Sequence, residues 1–402
     1  MLNVDSGSFL VIVVVAALAA LAAGMLSPRL PLPVVVIEIV AGIIIGPEVL
    51  GLAEPDEFIE FFSSLGLGML FFFAGYEIDF ERIRGVPLRL AALGWLLSLA
   101  LAYGLGGLLA LAGVVLSLVF TGSALATTAI GTLIPILKDA KELRTRFGTY
   151  LLAAGAMGEF GPILLITLVF STKGAVENTV ILLAFLATAL ATALLAVRGA
   201  GRGWPLLERT LETSGQLAIR VAVVLVFALA ALASSLGLDL LLGGFVAGVI
   251  VRIALRGREV TLFESKLTAV GYGFFIPFFF IVSGIKFDAT ALADDPIRIL
   301  LVPLFLGLFV VVRGVPAMLL YQRLLDKRDR TALAFYSATE LPLVVAITTI
   351  AVEEGHMRAA TAASLVGAAI LSTTIYPLIG LRLRRDASRT GEAEAEPAPT
   401  PA

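Results

Sequence analysis

Runs of about 20 apolar residues, separated by short segments that hold nearly all of the charge, repeat along the whole chain. A helix of roughly 20 apolar residues crosses the hydrocarbon core of a bilayer. The pattern predicts thirteen such spans, near 7–26, 32–50, 58–76, 88–109, 112–137, 147–171, 177–197, 215–236, 239–254, 264–285, 297–321, 331–352 and 359–380. The first is uncharged at its start and long enough to span, so it reads as a true helix rather than a cleaved signal. From Arg382 the sequence turns polar and Pro-rich and predicts a disordered tail over 382–402. Residues 1–381 are then one all-α transmembrane domain.

Composition narrows the chemistry. Only 15% of the 402 residues are charged, against about 25% in an ordinary soluble domain, and the mean hydropathy is +1.01. A net charge of −2 gives no reason to expect a nucleic-acid partner. With no cysteine, disulfides, thiolate metal sites and cysteine catalysis are excluded. With one histidine, His356, a His-rich metal site or proton relay is excluded too. No cofactor is expected.

The basic residues fix an orientation. Most of the 29 Lys and Arg fall in alternate loops, among them Arg82, Arg84 and Arg89; Lys138, Lys141, Arg144 and Arg146; Arg323, Lys327, Arg328 and Arg330; and the tail with Arg382, Arg384, Arg385 and Arg389. The opposite loops hold only Lys173, Lys286, Arg298 and Arg358. The positive-inside rule places the C-terminus in the cytoplasm and the N-terminus outside.

Two features point to a transport site. A weak internal repeat joins Gly66-Leu67-Gly68-Met69-Leu70-Phe71-Phe72-Phe73-Ala74-Gly75-Tyr76-Glu77-Ile78-Asp79 with Gly271-Tyr272-Gly273-Phe274-Phe275-Ile276-Pro277-Phe278-Phe279-Phe280-Ile281-Val282-Ser283-Gly284-Ile285-Lys286-Phe287-Asp288, with opposite orientations in the predicted topology. Span five, with Thr121-Gly122-Ser123 and Ala126-Thr127-Thr128 ahead of Pro135, carries hydroxyls and glycines that weaken a helix. Span twelve carries Ala338-Thr339-Glu340-Leu341-Pro342, where proline removes a helical hydrogen bond. Interrupted helices at matching places in inverted repeats mark the binding site of many secondary transporters.

Ionisable residues inside spans are costly and mark function. Glu159 stands alone mid-span, so a proton and a cation can compete for one carboxylate. Arg313 stays charged and needs an anionic partner, with Glu38, Glu159 and Glu340 as candidates; a structural ion pair with Glu38 is one expectation. Glu340 lies at the second break, where it can face the ion. Thr127, Thr128 and Ser123 offer neutral oxygens of the kind a hard cation takes. Arg220 reads as a snorkelling residue and His356 as a surface one.

Leu30-Pro31-Leu32-Pro33 followed by Ala41-Gly42-Ile43-Ile44-Ile45-Gly46-Pro47, Phe73-Ala74-Gly75-Tyr76-Glu77-Ile78-Asp79, Ala124-Leu125-Ala126-Thr127-Thr128-Ala129-Ile130, Pro277-Phe278-Phe279-Phe280 and Ala338-Thr339-Glu340-Leu341-Pro342 occur in one order over almost all of residues 8–381. Together they resemble the Kef-like branch of the monovalent cation:proton antiporter-2 family. The resemblance implies a sodium/proton antiporter fold of thirteen transmembrane helices, with inverted repeats and two broken helices crossing near the midplane. It implies a homodimer in the cell membrane that exchanges protons for Na+ or K+ at Glu159 as a core shifts against the remaining helices. Such a protein is a transporter and not an enzyme. In span six the family usually has two acids, or a polar residue then Asp; here the pair is Gly158-Glu159, which leans toward electroneutral exchange. A cation channel, and a proton- or sodium-coupled organic anion cotransporter using Arg313, are the alternatives.

Overall fold

The computed structural model describes residues 5–26, 33–78, 80–169, 175–238, 240–256, 260–287 and 296–389. Among them every regular element is helical. In chain order they are α1 (Ser6–Leu26), α2 (Val34–Ile45), α3 (Glu57–Tyr76), the short α4 (Phe80–Ile83), α5 (Val86–Leu111), α6 (Leu118–Leu125), α7 (Ile130–Asp139), α8 (Arg146–Val169), α9 (Ala175–Leu211), α10 (Leu217–Ser235), α11 (Leu240–Ala254), α12 (Thr261–Val270), α13 (Ile276–Ile285), α14 (Pro296–Phe309), α15 (Val315–Leu320), α16 (Lys327–Ser337), α17 (Pro342–Glu353) and α18 (Ala359–Arg389). Each predicted span falls on one of these helices or on a consecutive pair. Among the described residues nine helices are long and apolar enough to cross a membrane, and shorter apolar ones accompany them.

Span five is two helices, α6 and α7, parted at 126–129; span twelve is α16 and α17, parted at 338–341. Spans ten and eleven each contain a π-helical turn, Gly271–Phe275 and Val310–Gly314, that the sequence reading does not anticipate. Pro277 and Pro316 stand just after these turns. Proline removes an N–H and crowds the carbonyl one turn back, and a wider turn relieves that crowding. Two helices outrun their predicted ends. α9 continues through the expected loop after 197 to Leu211, and α18 runs past the expected boundary at 381 to Arg389, with no Pro or Gly between to stop it. The rest of the predicted tail, residues 390–402, and the motif residues Leu30, Pro31, Leu32, Asp79 and Asp288 lie outside the described residues.

The chain forms two compact units. One comprises, of the described residues, 5–25, 37–78, 163–169, 175–238, 240–256 and 260–286. In it the two Phe-rich repeat segments pack on each other, with Phe73 and Tyr272 ring centroids 5.0 Å apart and Phe62 and Phe278 5.3 Å apart. Close backbone approach joins α3 to α11: a Cβ on Gly244 would stand 2.6 Å from the Gly68 carbonyl oxygen. Small residues permit such contact between membrane helices. The second unit comprises, of the described residues, 26, 33–36, 80–162, 287 and 296–389. Its core joins Leu133 and Leu137 of α7, Phe147 and Leu151 of α8, and Leu333 and Tyr336 of α16, all nearly free of solvent. Both broken helices, Glu159 and Arg313 belong to this unit.

Candidate ion site

The site is built on a missing hydrogen bond. Pro162 has no N–H, so within α8 the Gly158 carbonyl has no helical donor four residues on. The Thr128 N–H, in the gap between α6 and α7, donates to that carbonyl at 3.1 Å. The next amide, of Ala129, donates to the Thr339 carbonyl in the gap between α16 and α17 at 2.7 Å. The two interruptions therefore meet and satisfy each other, as backbone at membrane depth must. The second gap is held further by α18: the Glu340 N–H donates to Ser372 Oγ at 3.0 Å, and the hydroxyls of Ser372 and Thr373 donate to the Glu340 carbonyl at 3.0 and 3.1 Å.

Glu159 follows Gly158 and is 6% exposed. Its Oε1 accepts from the N–H groups of Ile130 at 3.0 Å and Gly131 at 3.4 Å, the first two amides of α7. A helix N-terminus carries unsatisfied N–H groups and a partial positive charge, and so favours a carboxylate. Oε2 is buried and has no protein partner. One oxygen is thus anchored to backbone while the other is open to a proton or a cation.

Arg313 sits in the π-turn of Val310–Gly314 and is 4% exposed. Nε donates to Thr128 Oγ1 at 3.0 Å and to the Ser337 carbonyl at 3.4 Å, Nη1 to Ser98 Oγ at 3.1 Å, and Nη2 to the Ala154 carbonyl at 3.1 Å. All of these acceptors are neutral. Within its unit these hydroxyls and carbonyls, from α5, the gap between α6 and α7, α8 and α16, occupy its donor fork. The guanidinium also explains Gly158. A Cβ there would stand 2.7 Å from Nη2 and 2.6 Å from Thr128 Oγ1. The place of the absent polar neighbour of Glu159 is filled from another helix.

The other predicted residues divide. Thr127, fully buried, has Oγ1 3.1 Å from Glu340 Oε2 and 3.1 Å from the Ala124 carbonyl. Glu340 is fully buried, and its Oε1 has no protein partner. Thr128 is in place, but its hydroxyl lies between Arg313 and the Ser337 carbonyl, 2.5 Å away, and so braces the guanidinium. Ser123 Oγ pairs with Tyr103 OH at 3.3 Å. Glu38 is buried in the other unit. The sequence reading overlooks Ser98, Ser372 and Thr373; the signals were a lone hydroxyl in an apolar span and a Ser-Thr-Thr run in another. It also overlooks the α7 amides, which no side chain reports. Among the described residues no group of three or more His, Cys, Asp or Glu could hold a metal. A carboxylate oxygen without a protein partner is a hard donor of the kind a proton or a monovalent cation takes.

The sodium/hydrogen exchanger transmembrane family matches residues 13–381. The chain is 28% identical to YjbQ of Bacillus subtilis, a candidate Na+/H+ antiporter, over 87% of the chain but only 59% of that relative's length. It is 26% identical to probable Na+/H+ antiporter 3 of Methanocaldococcus jannaschii, over 87% of the chain and 89% of the relative. The Na+/H+-K+ antiporter GerN of Bacillus cereus is 29% identical over 66% of the chain and 69% of the relative. Among solved structures, the sodium proton antiporter MjNhaP1 of M. jannaschii shares the fold, with a TM-score of 0.62 over 95% of this chain and 97% of that one, at 16% identity.

Proposed function

Because the chain belongs to the sodium/hydrogen exchanger family, we propose that it exchanges protons for a monovalent cation, Na+ or K+, across the cell membrane. The observation that carries this reading is the divided carboxylate of Glu159, with Oε1 on the α7 amides and Oε2 buried without a partner. A proton or a cation completes Oε2, and each excludes the other. Competition for one oxygen makes exchange obligatory without further machinery. The carboxylate, its amide cap and Arg313 all belong to one compact unit, so they travel together in any movement of that unit. Thr127 and Glu340 line the same pair of gaps and supply the neighbouring oxygens.

The balance of charge favours one-for-one exchange. Arg313 keeps its charge throughout, and Gly158 brings no second titrating group beside Glu159. The site carries the same net charge whether Glu159 holds H+ or the cation. The alternative of an organic anion cotransporter is less well supported: Nε, Nη1 and Nη2 of Arg313 all face protein oxygens and offer an anion little. The protein is then a transporter with no cofactor, working as a homodimer with its C-terminus in the cytoplasm. The test is flux in reconstituted vesicles, with an imposed pH gradient and Na+, K+ and Li+ compared side by side. Cation-dependent dissipation of the gradient supports the reading; proton movement that ignores all three cations overturns it.

A further inference from the structure

Far from the ion site in the same unit lies a second buried charge cluster. Arg384 of α18 is 7% exposed, and its Nε and Nη2 grip both oxygens of Glu142 at 3.1 and 2.9 Å. Its Nη1 donates to Asp329 near the start of α16. Its guanidinium carbon lies 4.5 Å from the Phe147 ring centroid at the start of α8. Glu142, in the turn after α7, is itself buried, and its carboxylate and carbonyl both receive the Thr145 hydroxyl. A bidentate guanidinium–carboxylate pair fixes direction as well as distance.

The four segments that meet at Arg384 each also contribute to the Glu159 and Glu340 environment. α7 runs from the turn at Glu142 to the amides on Glu159. α8 runs from Phe147 to Glu159 itself. α16 runs from Asp329 to Ser337 and the second gap. α18 runs from Arg384 to Ser372 and Thr373 on Glu340. At 1.5 Å per residue the separations are about 12 to 18 Å, so the cluster is a layer roughly two to three helical turns from the site along each segment. Breaking one member of a buried ion cluster strands the others and is costly, which gives the layer its stiffness.

We propose that Arg384 is a positioning residue for the ion site: it locks the far ends of α7, α8, α16 and α18 in register, and so keeps the α7 amides aimed at Glu159. The proposal rests on Glu159 being the ion carrier, and its test separates the two ideas. Amide hydrogen exchange and vesicle transport are measured on the full chain and on Arg384→Gln, Arg384→Lys and Glu142→Gln. In Arg384→Gln the amides of Ile130 and Gly131 should exchange about tenfold faster or more, while segment 217–235 of the other unit stays unchanged. The KM for the cation should rise about threefold or more, as when support behind a ligand is lost. Glu142→Gln removes one arm and keeps Asp329, so it should move both readouts the same way by less; Arg384→Lys should fall between. Unchanged exchange at Ile130 and Gly131 in both Gln variants would overturn the proposal. So would acceleration spread evenly over both units, or faster local exchange with an unmoved KM. If the unaltered protein transports no cation, the functional reading fails, and the exchange data still decide the brace.

Discussion

Arg313 Nη2 occupies the space that a side chain on Gly158 would need: a Cβ added to the glycine would stand 2.7 Å from it. The residue before Glu159 has no room for a side chain, because a guanidinium from another helix stands there. Gly158→Ala should displace Arg313 or Thr128 and cut cation exchange sharply. Gly158→Asn, closer to the family's usual residue, should do no better, because the obstacle is volume. Exchange at the original rate in either variant would show that the guanidinium moves aside freely.

Glu159→Gln keeps an acceptor for the α7 amides but cannot alternate between proton and cation. The protein should remain folded, and cation-dependent pH change in vesicles should fall to background. Glu159→Asp should keep part of the activity. Coupled exchange by Glu159→Gln is the result that removes Glu159 from the central role.

Arg313→Ala should destabilise the protein far more than Arg220→Ala. Arg313 is buried and its loss strands the acceptors on Thr128, Ser98 and Ala154, each worth about 1–3 kcal/mol when left unsatisfied, whereas Arg220 is exposed. Thermal melting in detergent reads the difference. Equal shifts for the two variants would mean that water replaces the lost guanidinium.

Membrane potential should leave Na+/H+ exchange unaffected. Clamping vesicles with K+ and valinomycin tests this with Na+ as substrate. A several-fold dependence on potential would point to a second proton carrier, and Glu340, with its partnerless Oε1, is the first residue to substitute.

Outside the spans, Asp56 caps α3 through the Ile59 N–H at 2.7 Å and also accepts from the Asp5 N–H at 2.7 Å; these bonds hold its carboxyl below the usual range. A depressed folded-state pKa means the cap is fully present above the unfolded value, about 3.9 for Asp, and is lost as pH falls through the lower, folded one. Exchange protection of the first turn of α3 should therefore hold at pH 5 and weaken only in stronger acid. In Asp56→Asn that acid dependence should disappear.

Most of the fold was legible because apolar length is a one-dimensional signal. The breaks were legible too: hydroxyls near Thr127 and a proline after Glu340 are local marks of a weakened helix. Glu159 stood out by isolation. What the sequence hid were relationships between distant segments. Nothing local says that Pro162 matters for the acceptor it leaves at Gly158, or that Thr128 is the donor that finds it. The neutral surroundings of Arg313 were hidden for the same reason, since its acceptors, the hydroxyls of Thr128 and Ser98 and the carbonyls of Ala154 and Ser337, come from four separate segments of the chain. The reach of α18 to Arg389 was masked by composition, since a polar stretch reads as tail whether or not its helix continues.

The divided carboxylate of Glu159 has a consequence for speed. With Oε1 committed to two amides, a Glu159 that carries the proposed cargo meets it through one oxygen only and does not chelate it. A cation must draw the rest of its shell from carbonyls, hydroxyls and water, each individually weak. Such a grip is shallow, and a shallow well empties quickly. On the proposed reading an exchanger is limited by letting go as much as by taking hold, and the amides of Ile130 and Gly131 then bear on that limit by what they withhold from the ion.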